Sequence, residues 1–200
     1  MNFHLEDYTK LSSLDFNQDK GQLALSYLLR LIGVVVFGLV FIGFARLIHP
    51  QLPVSLATYL TIELPNTSVI VSYILIAISV VLVLTLHELV HASVFYIDQR
   101  IPPKIGWRGL SIFAAAPGYL SKPNIMIVNA LAPFVVISIV GIILIAVLPL
   151  GFLPWIFIPT VVNAAAAGGD FMAVVWLRKQ PEDAMIEDNG DVLTAYRRVD

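Results

Sequence analysis

Four long apolar runs alternate with shorter polar stretches along this chain, at residues 23–48, 69–97, 125–148 and 154–177. Each is long enough to cross the roughly 30 Å hydrocarbon core of a bilayer as a helix. The first is interrupted only by Arg30 near its start and Arg46 near its end, and both side chains can snorkel to an interface. Its Gly33, Gly38 and Gly43 recur every five residues, so they wind around the helix and read as separate packing points. The second run is rich in β-branched residues. That is no obstacle in lipid, where the backbone must satisfy its own hydrogen bonds. The third carries no charge and is expected to kink or loosen at Pro133. The fourth comes after a tight turn at 149–154 and contains Pro159, Asn163, a run of alanines, Gly168-Gly169 and then Asp170.

The polar stretches predict the connections. Residues 1–22 form a tail in which Asp15, Asn17 or Asp19 is placed to cap a helix starting near Lys20. Residues 49–68 hold Pro50, Pro53, Pro65 and Glu63 but no Lys or Arg, which predicts an external connection with a short interfacial segment. Residues 98–124 change character abruptly. Pro102-Pro103 stops a helix, and Gly106, Gly109, Pro117 and Gly118 punctuate the rest of the loop. Residues 107–113 and 114–120 are expected to pair as a hairpin. It is either an ordinary cytosolic hairpin or a re-entrant one offering an edge strand to an unfolded substrate. In the tail 178–200, Asn189-Gly190 marks a turn before a strand at 192–196. The expected fold is an all-α membrane protein with four transmembrane helices, a short β-hairpin and small soluble tails. Its parts are a tail at 1–22, a membrane domain at 23–177 and a tail at 178–200.

Composition agrees: 58% of residues are hydrophobic, 13% are charged and the mean hydropathy is +0.84, values of a multi-pass membrane protein and not of a soluble domain. A net charge of −2 gives no reason to expect nucleic acid as a partner. With no cysteine there is no disulfide framework and no thiolate site, so any metal is held by nitrogen and oxygen. No small-residue cleavage site lies after the first apolar run, which makes residues 1–22 a cytosolic leader before an uncleaved span. Of the twelve Lys and Arg, all but Arg46 fall on one side of a four-span arrangement. Basic residues stay inside, so a cell-membrane protein with both termini cytosolic is expected.

The chemistry gathers at the end of the second run, in His87-Glu88-Leu89-Val90-His91. On a helix, positions i and i+4 leave the same face one turn apart, a spacing that suits two nitrogens on one Zn²⁺. Glu88 sits beside the pair, where a carboxylate can take the proton of a metal-bound water. The eighteen residues before His87 carry no charge, and ionisable groups in such surroundings are costly unless partnered or functional.

A third ligand has few candidates. Position 97, where a third histidine of a metzincin pattern would stand, is Ile, and no Glu occurs between Glu88 and Glu182. Asp98 lies two turns beyond His91, roughly 10 Å away along the helix. Asp170 remains. His91 lies nine residues before Arg100 and Asp170 eight before Arg178. At 1.5 Å per residue both sit roughly 12–14 Å inside the same boundary.

With HELVH near the end of one span and Asp170 on a later one, the chain resembles the site-2 protease family of intramembrane metalloproteases. Within it, the chain is most similar to a branch of small zincin peptidases with this span layout. The resemblance covers roughly residues 69–178. It implies a membrane zinc metalloprotease, with Zn²⁺ on His87, His91 and Asp170 and Glu88 as catalytic base. The substrate would be a membrane protein or peptide cut within or beside the bilayer. In that family the aspartate stands in an LDG context preceded by Asn in a proline-containing stretch; here the text reads NAAAAGGDF. Asn163 occupies the comparable place, as a substrate-binding amide or as an interhelical hydrogen bond. Two rivals remain at this point: a non-proteolytic zinc carrier or sensor, and an inactive membrane scaffold.

Overall fold

The computed structural model describes residues 7–15, 20–62, 68–100, 102–108, 111–190 and 192–199. The capping candidates Asn17 and Asp19, the connection residues Glu63 and Pro65, and Gly109 lie outside the described residues. The elements run β1 Tyr8–Asp15, α1 Lys20–Ile48, α2 Leu56–Leu60, α3 Val69–Gln99, β2 Lys104–Arg108, β3 Ser111–Ser121, α4 Pro123–Val147, α5 Leu153–Ala166, α6 Gly168–Leu177, β4 Met185–Asp188 and β5 Val192–Arg198. Among the described residues, four helical stretches are long and apolar enough to cross a membrane: α1, α3, α4 and the pair α5–α6.

Local chemistry accounts for the boundaries. Ser68 caps α3 by accepting from the Val71 N–H, and Arg100 closes the other end at φ 58° just before the two prolines. Pro123 opens α4, where its missing N–H costs nothing. The short α2 lies in the 49–68 connection and buries Tyr59 completely against Phe157.

Helix packing depends on a few close approaches. A Cβ on Gly33 would stand 3.1 Å from the Ala165 Cα, and one on Gly168 would meet Arg30 at 3.1–3.2 Å. Both glycines let α1 come against the fourth stretch. Gly38 and Gly43 face open space, so only Gly33 of the three evenly spaced glycines is a packing point. The fourth stretch is two helices. It breaks at Ala167, and the Gly168 contact there is with α1, not with the second span. Phe37, Phe134 and Phe171, with ring centroids 5.0–6.1 Å apart, then fix α6 between α1 and α4. Pro133 sits inside α4 without ending it.

The all-α expectation needs correction. Five strands form one antiparallel sheet in the order β1-β5-β4-β3-β2. It joins the N-terminal tail, the 98–124 loop and the C-terminal hairpin, which the sequence pattern suggests are separate. The reason is non-local pairing. Tyr8–Asp15 reads as a polar tail until Val192–Arg198 lies beside it, with Leu14 opposite Leu193. The hairpin of the loop is also displaced. Arg108 pairs with Ser111 and Gly106 with Phe113, so Phe113 and Ala114 lie inside β3 and not at the junction of two strands. The Asn189-Gly190 turn occurs where expected, with Gly190 at φ 85°.

One face of the sheet packs on the neighbouring ends of α3, α4 and α6. Leu14, Ala116, Ile186 and Leu193 bury there against Phe95, Met126 and Leu177. A second apolar cluster, around Phe41, Tyr59, Ile145 and Phe157, closes the far end of the bundle.

Candidate metal centre

Two helices bring three side chains to one point. The last turns of α3 carry His87 and His91, and the first turn of α6 carries Asp170. The His87 and His91 Nε2 atoms are 3.2 Å apart. Asp170 Oδ2 lies 3.2 Å from His87 Nε2, and its Oδ1 lies 3.6 Å from His91 Nε2. Both imidazoles are buried, and the Asp170 side chain keeps 23% of its surface. Among the described residues these three groups form a cluster able to hold a metal ion.

The outer partners decide what the cluster can accept. His91 Nδ1 lies 3.0 Å from the Asn129 backbone oxygen and 2.9 Å from Asn129 Oδ1, on α4. A carbonyl only accepts, so His91 carries its proton on Nδ1. His87 Nδ1 likewise lies 2.9 Å from Asn163 Oδ1 on α5. In the neutral rings each Nε2 presents a lone pair, and two such lone pairs 3.2 Å apart beside a carboxylate attract a positive charge between them, a metal ion or a proton. Ligands at 2.0–2.2 Å around a tetrahedral zinc are separated by about 3.3–3.6 Å. The observed separations fit that ion.

Glu88 does not join the three. Its Oε2 accepts the Ala114 N–H at 3.1 Å, which attaches it to β3. The strand β4 stops opposite Ala116, so on that side Ala114 meets Glu88 and not another strand. Close to β3 lies the β4–β5 turn, where Gly190 approaches the Phe113 ring and donates to Asp188 Oδ1 at 2.6 Å. Burial pushes the Asp188 carboxyl up to about 7, opposed by the Gly190 N–H and reinforced by Asp170, Glu88 and Glu187.

The other candidates take definite places. Asp98 is engaged elsewhere, its Oδ2 accepting from Ser121 Oγ at 2.7 Å and from Gln99 Nε2. Asn163 is fully buried, with its oxygen on His87 and its Nδ2 lacking a partner among the described residues. It spans α5 to α3 as an interhelical hydrogen bond. Asn129 was missed by sequence reasoning. A search for charges passes over it, whereas a search for any strong hydrogen-bonding group in the third run would have found it.

The family model described as "Putative zincin peptidase" matches residues 80–185, just over half of the chain. The chain belongs to that family. The matched segment holds the histidine pair, Glu88, Asn129, Asn163 and Asp170 together with β2 to α6. Membership in a zincin family implies zinc and metallopeptidase chemistry. No curated protein and no solved structure matches the chain.

A cation held by these groups predicts graded losses of zinc affinity, measured by competition with a chromophoric chelator. Asn163→Ala releases the His87 Nδ1–H, and affinity should fall by roughly 10–100-fold. Asp170→Asn replaces an anionic oxygen with a neutral one and should fall further. Equal affinity in Asp170→Asn and the unaltered protein would remove Asp170 from the centre.

Proposed function

We propose that the protein is a membrane-embedded zinc endopeptidase of the site-2 protease type, hydrolysing peptide bonds within or next to the bilayer. The observation that carries the reading is the convergence of two Nε2 atoms and a carboxylate, with Glu88 alongside but outside the trio. His87, His91 and Asp170 would hold the ion. Zinc there supplies Lewis acidity that lowers the pKa of water toward about 7 and polarises a carbonyl. Glu88, aimed by the Ala114 N–H, takes the proton of the attacking water and delivers it to the leaving amine. A carrier or sensor has no use for a carboxylate fixed beside the ligands without joining them.

The substrate is a membrane protein or membrane-associated peptide. A helical peptide bond is shielded by its own hydrogen bonds, so the cleaved segment must be extended. The pairing of β4 with β3 runs from Ser121 to Ala116, and an extended segment laid along β3 near Ala114 would pass beside Glu88. Asn163 acts in this reading on His87 and not on the substrate.

The chain sits in the cell membrane as a four-span protein with both termini cytosolic. Two observations support this orientation: the one-sided distribution of Lys and Arg, and a single sheet that unites both tails with the 98–124 loop. Water reaches the centre from that side.

Two measurements test the reading. Glu88→Gln keeps the shape of the side chain and removes the base. Cleavage of fluorescein-labelled casein and of a single-span model peptide in detergent micelles should fall by at least roughly 100-fold, with zinc still bound. Undiminished cleavage would exclude Glu88 from the mechanism. For topology, reporters after Gly21, within 102–106 and after Lys179 should read inside, and only an insertion within 50–66 outside. External labelling of 102–106 would overturn the orientation.

A further inference from the structure

Pro133 occupies a fully buried position in α4, four residues after Asn129. In an α-helix the N–H of residue i bonds to the carbonyl of residue i−4. Proline has no N–H, so the Asn129 carbonyl receives nothing from Pro133. In an apolar interior a carbonyl released in this way must find a donor on a neighbouring element. That carbonyl is the one lying 3.0 Å from His91 Nδ1.

Two acceptors thus face one imidazole nitrogen, and they are not equivalent. The Asn129 side-chain amide can rotate and offer either its oxygen or its nitrogen. Here Nδ2 donates to the His91 backbone oxygen at 3.0 Å, leaving Oδ1 for the ring. The backbone carbonyl has no such alternative. It dictates a proton on Nδ1, which in the neutral ring leaves the lone pair on Nε2.

We propose that Pro133 is a positioning residue for His91: by withholding the i→i−4 donor from the Asn129 carbonyl, it locks the histidine tautomer that turns Nε2 toward His87 and Asp170. Its consequence for metal affinity rests on the zinc-site reading above, whereas the tautomer does not. A proline that only shaped the helix would leave both untouched. His87 has no such device, because its acceptor is the side chain of Asn163.

The test combines zinc titration of the full-length protein in micelles with imidazole ¹⁵N spectra of the metal-free protein, the His91 signals being assigned by their loss in His91→Gln. Pro133→Ala restores an N–H that recaptures the Asn129 carbonyl, so zinc affinity should fall about tenfold while the helix is not destabilised. The His91 Nδ1 resonance should move toward the value of a weaker hydrogen bond. Combining Pro133→Ala with Asn129→Ala should lower affinity by about a hundredfold. Pro159→Ala in α5, which frees no carbonyl beside an imidazole in this structure, should leave affinity unchanged. Unaltered affinity and unaltered His91 resonances in Pro133→Ala would overturn the proposal. If Pro133→Ala fails to fold, Asn129→Ala decides, since it removes the side-chain acceptor and leaves the backbone carbonyl: a proton kept on His91 Nδ1 supports the proposal and a proton moved to Nε2 refutes it. If the unaltered protein binds no zinc, the metal-centre reading falls, and the imidazole spectra still judge Pro133.

Discussion

Everything at this centre depends on where two protons are held. With Nδ1 of His87 donating to Asn163 and Nδ1 of His91 donating to Asn129, the two neutral rings turn their Nε2 atoms, 3.2 Å apart, toward one point as acceptors. The arrangement needs α4 and α5 on the outer side of the imidazoles and α6 on the inner side. That is why three separate polypeptide stretches must meet around the end of α3. The break at Ala167 serves the same end, since it gives α6 its own start and puts Asp170 in a first turn, where the helix dipole favours an anion. Gly168 permits the break by letting Arg30 come close against the backbone.

The sheet supplies the other half of the geometry. Glu88 could swing freely on α3 were it not attached to the Ala114 N–H. β3 is held in turn by β4, by the Gly190 turn against Phe113, and by Asp98 and Gln99 gripping Ser121. A polar tail and a long apolar helix are thereby parts of one site. Separate tails flanking a self-sufficient membrane domain would not position the carboxylate in this way.

Much of this was legible in the residue pattern. Periodicity and length located the long helices within a few residues, because lipid-compatible runs leave little ambiguity. The i, i+4 spacing and the equal depth of His91 and Asp170 brought together residues that the fold places within 3.6 Å. The features that were not legible depended on distant partners or on an absent atom. Tyr8–Asp15 has no apolar alternation strong enough to announce a strand before Val192–Arg198 covers it. The hairpin at 104–121 begins three residues earlier than expected, because the Phe113 ring covers Gly106 across the strands and sets the register there. Asn129 is uncharged and Pro133 reads as a kink. Their shared role becomes visible only once His91 lies beside the carbonyl that the proline leaves free.

The central claim is that His87, His91 and Asp170 bind one zinc ion through two imidazole nitrogens and a carboxylate. X-ray absorption at the zinc edge, on the purified protein with metal content measured in parallel, tests it most directly. One zinc per chain is expected, with only nitrogen and oxygen neighbours at about 2.0–2.2 Å and multiple-scattering features of two imidazoles. Protein that is folded yet binds no zinc, or zinc whose spectrum lacks the imidazole pair, would contradict the account.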